Sequence, residues 1–263
     1  MRKNTLCEDY FANIQTEEQA YWLGMLTADG WIRKDLKGWA ISLKSADESH
    51  VELLRACIGS NAPITKRLYR KSHTSKIEIY SKRMVSHLMK LGITPKKSLV
   101  VLPWHGKKKL LKHYWRGVFD GDGCICKNKA RKKGGHCYVL SLCGSKWIVD
   151  GFRDFVQEKT GYCKKPYKKG NIYYVEYGGT LQPQNVAKTI YTNCSVFLTR
   201  KKKMIDELLA TKQLKFDRSS WTLEYLNNLH DKYGMWKLVA KKLDVSSNNL
   251  DGIKKRLMSK LCK

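Results

Sequence analysis

Residues 21–30 read YWLGMLTADG, and 93 positions later residues 114–123 read YWRGVFDGDG. Each stretch is an apolar helical run closed by Asp-Gly, and the same succession of elements follows each. Thr16-Glu-Glu-Gln19 has the capping-box form and opens a helix to about Ala28. Alternation and turn residues then predict strands at 31–34 and 39–44, a helix at 48–58, strands at 63–70 and 76–80, and a helix at 82–91. From about Lys112 the series restarts: a helix to Gly121, strands at 124–127 and 138–143, a helix at 146–158, strands at 163–168 and 172–177, and a helix at 184–191. The pattern predicts an α+β chain of two pseudo-symmetric αββαββα repeats packed about a pseudo-twofold axis, so that one chain behaves like a dimer and works as a monomer. The expected boundaries are 1–105 and 106–212, with the Pro- and Lys-rich stretch 95–109 as connector. A helix at 204–210 comes after the basic run 200–203, and a small all-α module, 213–263, follows.

The repeated helices carry small residues at i and i+4, Gly24 with Ala28 and Gly117 with Gly121. That spacing puts them on one helix face, where missing side chains let two backbones approach closely. If the two helices pack on that face, Asp29 and Asp122 meet. Two carboxylates ~4 Å apart repel by roughly 4 kcal/mol at an effective dielectric of about 20, and a helix C-terminus is the wrong pole for an anion. Hard divalent cations remove the difficulty. Asp29 and Asp122, with the terminal carbonyls of Ala28 and Gly121, are therefore the expected metal ligands, and two or more Mg²⁺ ions at the repeat interface the expected cofactor.

The chain's charge says what such ions would act on. The 51 Lys and Arg against 23 Asp and Glu leave a formal +28, spread over nearly the whole length of 263 residues, so a polyanion is the expected partner. No apolar stretch approaches the roughly 20 residues of a bilayer span, which favours nucleic acid over a membrane. The N-terminus lacks the apolar segment of a signal peptide, so the expected location is the cytoplasm, nucleoid or an organelle, without secretion. Paired carboxylates in a basic protein suit metal-assisted hydrolysis of phosphodiesters. The odd count of nine cysteines argues against a disulfide framework. Cys124, Cys126, Cys137 and Cys143 lack zinc-knuckle spacing and are expected as small buried hydrophobes.

Trp22-Leu-Gly-Met-Leu-Thr-Ala-Asp29-Gly30 and Trp115-Arg-Gly-Val-Phe-Asp-Gly-Asp122-Gly123 resemble the two signature helices of the LAGLIDADG homing endonucleases in their monomeric, two-repeat form. The resemblance spans about residues 10–210. It departs at Thr27, where the motif has Asp, but keeps Asp at the metal position in both copies. The resemblance implies antiparallel β-saddles lying in the DNA major groove, and cleavage of both strands across the minor groove to leave short 3′ overhangs. It also implies a basic residue beside each scissile phosphate, Lys97 and Lys201 in this chain, to orient water and stabilise charge on phosphate. Lys44 and Cys143 fall where the family often has a polar pocket residue, and Cys143 is a poor match.

Arg33, Lys34, Lys44, Lys66, Arg67, Tyr69, Arg70, Lys76, Lys127, Lys129, Lys165, Tyr167 and Lys168 are the DNA-contacting candidates on the strands. The stretch from Trp236 to Leu250 resembles a helix-turn-helix, which would present Ser247, Asn248, Asn249 and Lys254 to a major groove and Lys255 and Arg256 to phosphate. Its alternative reading is a helical cap on the second repeat. The expected function is thus a Mg²⁺-dependent, site-specific double-strand DNA endonuclease of the homing type. Two other readings use the same basic surface: a non-cleaving transcriptional regulator of LAGLIDADG-derived fold, and a maturase acting on intron RNA.

Overall fold

The computed structural model describes residues 4–69, 72–129, 136–211, 221–243 and 245–261. The chain forms two compact units, Met1–Gln213 and Leu214–Lys263. In the first unit, α1 (Glu17–Ala28) leads into β1 (Trp31–Asp35), β2 (Gly38–Ser45), α2 (Glu48–Cys57), β3 (Ile64–Tyr69), β4 (Ser72–Tyr80) and α3 (Lys82–Lys90). A short 3₁₀ turn, Lys97–Leu99, lies in the connector. The second series is α4 (Lys108–Asp122), β5 (Gly123–Lys129), β6 (His136–Gly144), α5 (Lys146–Thr160), β7 (Tyr167–Lys169), β8 (Ile172–Gly179), α6 (Leu181–Tyr191) and α7 (Thr199–Ala210). Each series makes one four-stranded antiparallel sheet, ordered β1-β2-β4-β3 and β5-β6-β8-β7. Both sheets therefore have the same topology.

Every residue of α1 from Ala20 to Thr27 is buried, so the helix lacks an amphipathic stripe and belongs inside a core. Its main neighbour is α4, and the contact is backbone to backbone. A Cβ added at Gly24 would lie 2.0 Å from the Tyr114 carbonyl oxygen, and one at Gly117 2.0 Å from that of Tyr21. Only glycine permits this approach. Around the pair, Phe11, Leu26, Ile41, Leu43 and Ile77 of the first repeat and Phe119, Leu140, Leu142, Phe152 and Val175 of the second join one continuous core.

A buried polar pin also ties the series together. The Arg116 side chain is wholly buried; its Nε donates to the Val196 carbonyl at 2.8 Å, and its Nη groups donate to the Ile190 carbonyl at 3.0 Å and to Glu17 Oε1 at 2.7 Å. Glu17 also accepts from the Ser195 amide at 2.7 Å, and these donors hold its carboxyl below the ordinary range against the opposing effect of burial. Arg116→Ala strands both carbonyls and the carboxylate. It is expected to destabilise by about 3–5 kcal/mol in urea unfolding followed by tryptophan fluorescence.

Two boundaries differ from the sequence expectation for identifiable reasons. The strand expected over 163–168 shrinks to Tyr167–Lys169, because Pro166 has no N–H for the ladder and restricts the residue before it. The helix expected from Met204 starts at Thr199 instead. After Thr199 it opens on the run Arg200, Lys201, Lys202 and Lys203, which is unfavourable near the positive pole of a helix. Tertiary partners offset this: Arg200 Nε donates to Asp47 at 2.8 Å, Lys202 pairs with Asp206, and Lys201 reaches carbonyls at the end of α4.

The second unit is α8 (Leu223–Tyr233), α9 (Trp236–Lys242) and α10 (Ser247–Leu261) around its own small core of Trp221, Leu226, Val239, Ala240, Val245, Leu250 and Ile253. Thr222 caps α8, Gly234 at φ 71° ends it, and Ser246 Oγ accepts the Asn249 amide at 3.2 Å. Among the described residues no helix is long and apolar enough to cross a membrane.

Candidate active site

The close packing of α1 on α4 delivers their C-termini to one place. Asp29 is the C-cap of α1 and Asp122 the last residue of α4. A Cβ placed on Gly121 would meet Ala28 Cβ at 2.3 Å and Asp29 Oδ2 at 3.2 Å, so the missing side chain is what admits the Asp29 carboxylate to the end of α4. Burial raises the Asp122 pKa to about 6, with the Asp29 charge adding to the rise and Lys97 and Lys201 opposing it. Asp29 is raised too: it keeps some exposure, but the desolvation imposed by the surrounding protein outweighs the attraction of Lys201, Lys97 and Arg200.

Lys97 and Lys201, far apart in sequence, flank this pair as near counterparts. Both are only 6% exposed. Lys97 Nζ donates to the Thr27 and Ala28 carbonyls, at 2.6 and 2.9 Å, capping the end of α1. Lys201 Nζ does the same for α4, donating to the carbonyls of Phe119 at 2.7 Å, Gly121 at 3.4 Å and Gly123 at 2.5 Å. Burial lowers both ammonium pKa values, and Lys201 falls to about 8. The two carboxylates hold the ammoniums charged, and the ammoniums offset the repulsion between the carboxylates.

The donor set suits a hard cation. Two carboxylates and the Ala28 and Gly121 carbonyls are all oxygen ligands, and each carbonyl keeps a second lone pair beside its lysine. Among the described residues no group of three or more His, Cys, Asp and Glu could hold a metal, so carbonyl, water or phosphate oxygens must complete any coordination shell here. The metal-free site also has a pH signature. Protons compete with a cation for Asp122, so the Mg²⁺ concentration needed for half-maximal effect is expected to rise about tenfold per pH unit below about pH 6, and to level off above it. Isothermal titration at several pH values checks this.

One residue of the site was not anticipated from the sequence. Asp120, buried at 1% exposure, accepts from Tyr21 Oη at 2.7 Å, from the Leu198 amide at 2.7 Å and from Tyr191 Oη. Leu198 is the N-cap of α7, so this carboxylate anchors the helix that carries Lys201. Tyr21 in turn meets His50 Nε2 at 3.0 Å, joining the first repeat to the network. The available signal was the contrast with Thr27, whose hydroxyl occupies the matching position in α1 and merely donates to the Leu23 carbonyl.

The strand candidates sort by register onto two faces. Arg33, Lys44, Arg67 and Lys76 project from the open face of the first sheet, and Tyr167 from that of the second, where it stacks on Tyr174. Arg33 and Lys76 are tied there to Glu78, at 2.8 and 2.9 Å, and Arg33 also to Asp35. Lys34, Lys66, Lys127 and Lys168 lie on the opposite, helix-covered faces: Lys66 pairs with Glu48 of α2, Lys127 with Glu207 of α7, and Lys34 and Lys168 sit over Trp39 and Tyr173. Lys165 is exposed in the segment before β7, Tyr69 and Lys129 close β3 and β5, and Arg70 lies outside the described residues.

In the second unit Ser247, Asn248 and Asn249 are exposed at the start of α10, whereas Lys254 Nζ rests 3.3 Å from the centroid of the Trp236 ring. Cys143 Sγ donates to the Asp122 carbonyl at 3.3 Å, and burial followed by the Asp122 charge pushes its pKa up. The cysteines depart from expectation. Cys124 and Cys126 are exposed and Cys137 and Cys143 half-buried, because their positions in the pleat face away from the core side occupied by Ile125, Leu140 and Leu142.

No family model and no curated protein sequence matches the chain. Solved structures do. The LAGLIDADG meganuclease I-AabMI, bound to uncleaved DNA, matches over 82% of this chain and 97% of its own, with a TM-score of 0.53 and 10% identity. I-SmaMI, bound to uncleavable DNA, matches over 84% and 99%, with a TM-score of 0.53 and 13% identity. The homing endonuclease I-LtrWI, bound to target DNA, matches over 85% and 96%, with a TM-score of 0.50 and 14% identity. With sequence likeness this low and coverage this high, what the chain shares with them is its architecture: it has the fold of the LAGLIDADG homing endonucleases.

Proposed function

We propose that this chain is a site-specific, Mg²⁺-dependent double-strand DNA endonuclease of the homing type, acting as a monomer inside the cell. The observation that carries the reading is the convergence of Asp29 and Asp122 at the ends of two helices in backbone contact, each end capped by a buried lysine. Such a pair is costly to assemble and has no evident structural purpose, since asparagine at either position would relieve the repulsion. Asp29, Asp122 and the Ala28 and Gly121 carbonyls would hold the ions. Bound there, divalent cations supply an activated water and charge stabilisation for the leaving oxygen.

The chain's own residues do the rest. Lys97 and Lys201 present ammonium protons beside the carboxylates, where they hold water in line and meet charge developing on phosphate. Lys201, with its pKa near 8, is the readier of the two to exchange a proton near neutrality. Arg67 and Lys44 on the open face supply phosphate contacts, while Arg33 and Lys76 must leave or share Glu78 to reach DNA. The 214–263 unit, in its helix-turn-helix reading, lengthens the recognised site through Ser247, Asn248 and Asn249. Cleavage across the minor groove leaves short 3′ overhangs.

The test is incubation of purified protein with a randomised DNA library in Mg²⁺, followed by sequencing of new ends beside an Asp29→Asn/Asp122→Asn control. One recurrent break with 3′ overhangs, absent from the control, is expected. Specific binding without any break in the native chain would overturn the nuclease in favour of the regulator, and specific binding to RNA alone in favour of the maturase.

A further inference from the structure

The open face of the second sheet differs from that of the first. By register, β5 and β6 place Cys124, Cys126, Asn128, Cys137, Val139, Ser141 and Cys143 on it. Cys126 and Cys143 take the places that Arg33 and Lys44 hold on the first sheet, and Cys124 takes that of Trp31. The sulfurs of Cys124 and Cys126 lie 3.4 Å apart, and both residues are exposed. Neither thiol packs in a core, and a hydrogen bond between two thiols is a weak reason to hold them together.

We infer that Cys124 and Cys126 form a two-sulfur chelating site for monosubstituted trivalent arsenicals. A disulfide is the wrong product for this geometry. Same-face residues of one strand are spaced roughly 6.6 Å along it, whereas a disulfide needs Cβ atoms about 3.5–4.5 Å apart. A bridging atom removes that constraint. The pyramidal arsenic(III) centre, which takes two sulfurs side by side and a third, non-protein substituent, fits two thiols already in contact. A tetrahedral ion that demands four protein ligands fits less well, since no larger ligand cluster is found among the described residues. The reaction is a condensation. Two As–S bonds form, the As–O bonds of the arsenous group break, both thiol protons leave with oxygen as water, and no atom changes oxidation state. The site begins two residues after Asp122, on the face that the proposed function assigns to DNA.

The experiment treats the reduced full-length protein with phenylarsine oxide and reads the intact mass, then maps cysteines left open to alkylation. The expected result is one phenylarsenic adduct per chain that survives excess monothiol, is removed by 2,3-dimercaptopropanol, and protects Cys124 and Cys126 from iodoacetamide. Cys124→Ser and Cys126→Ser should each reduce its retention in monothiol at least tenfold, while Cys137→Ser and Cys143→Ser leave it unchanged. A monothiol-resistant adduct that persists in Cys124→Ser/Cys126→Ser, or protection of other cysteines instead, overturns the assignment, as does an adduct that monothiol strips from the native chain. Adduct mass decides the chelate whether or not the chain cuts DNA; the effect of the arsenical on duplex affinity is a separate readout that bears on the function.

Discussion

Asp122→Asn is expected to abolish DNA cleavage and, at the same time, to stabilise the metal-free protein. The two effects share one cause. The folded chain holds the Asp122 proton up to about pH 6, whereas an unperturbed aspartate releases it near 3.8. Between those values the folded state binds the extra proton, so this group's contribution to stability falls as pH rises through the window and stays unfavourable above it. The shift amounts to at most about 3 kcal/mol, and partial exposure lowers the realised figure. Asn keeps the shape and removes the charge, so thermal unfolding at pH 7 without metal should show a higher midpoint for the variant. The advantage should shrink towards pH 4 and disappear or reverse in excess Mg²⁺. Under the proposed function cleavage should fall on the order of 10³-fold or more, because the variant would lack both a cation ligand and the charge to which Lys97 and Lys201 respond. Asp29→Asn should follow the same direction. A variant that lost stability and kept activity would remove the site from these residues.

The second large effect lies in the helix pair. In Gly117→Ala the new methyl meets the Tyr21 carbonyl oxygen at 2.0 Å and the Met25 nitrogen at 2.7 Å. Both are backbone atoms of the facing helix, with no rotamer available to yield, so α1 and α4 must separate. Overpacking a core with side-chain freedom costs about 1–3 kcal/mol, and a backbone contact should exceed the upper end. Loss of more than about 3 kcal/mol in chemical unfolding is expected, with Gly24→Ala comparable. Gly252 is a useful contrast: it lies within α10 and has nothing within 4 Å of its added Cβ, so Gly252→Ala should stabilise the second unit by up to about 1 kcal/mol. Where a Gly117 variant remains folded, cleavage should still drop, since separating the helices parts Asp29 from Asp122.

Much of this molecule was legible in its sequence because the relevant signals are local or periodic. Alternation located both strand pairs of the first repeat and the first pair of the second, and the small residues at i and i+4 identified the helix faces that meet. Of the two misplaced elements, β7 is cut short locally by Pro166, and α7 is ruled by partners distant in sequence. The start of α7 is Thr199 followed by four basic residues, which as a peptide oppose a helix N-terminus; it is helical because Asp47, Asp206 and the carbonyls of α4 receive side-chain donors of the run and Asp120 receives the Leu198 amide. The basic residues of the strands looked alike in sequence, yet pleat parity sends Arg33 and Lys76 to one face and Lys66 and Lys127 to the other. Parity depends on where a strand begins, and for β5 it also put Cys124 and Cys126 on the exposed side.

The sequence by itself determined that the chain repeats, that each repeat ends its first helix on Asp-Gly, and that a strongly basic surface surrounds two acidic positions. These follow from residue type and spacing, which need no tertiary information. Only the tertiary structure decided that Lys97 and Lys201 are buried against helix C-termini, that Asp120 anchors α7, and that the second sheet opens onto sulfur. Each depends on contacts between residues tens of positions apart, or on one position's side of a pleat. Those contacts exist because two glycines let α1 and α4 touch.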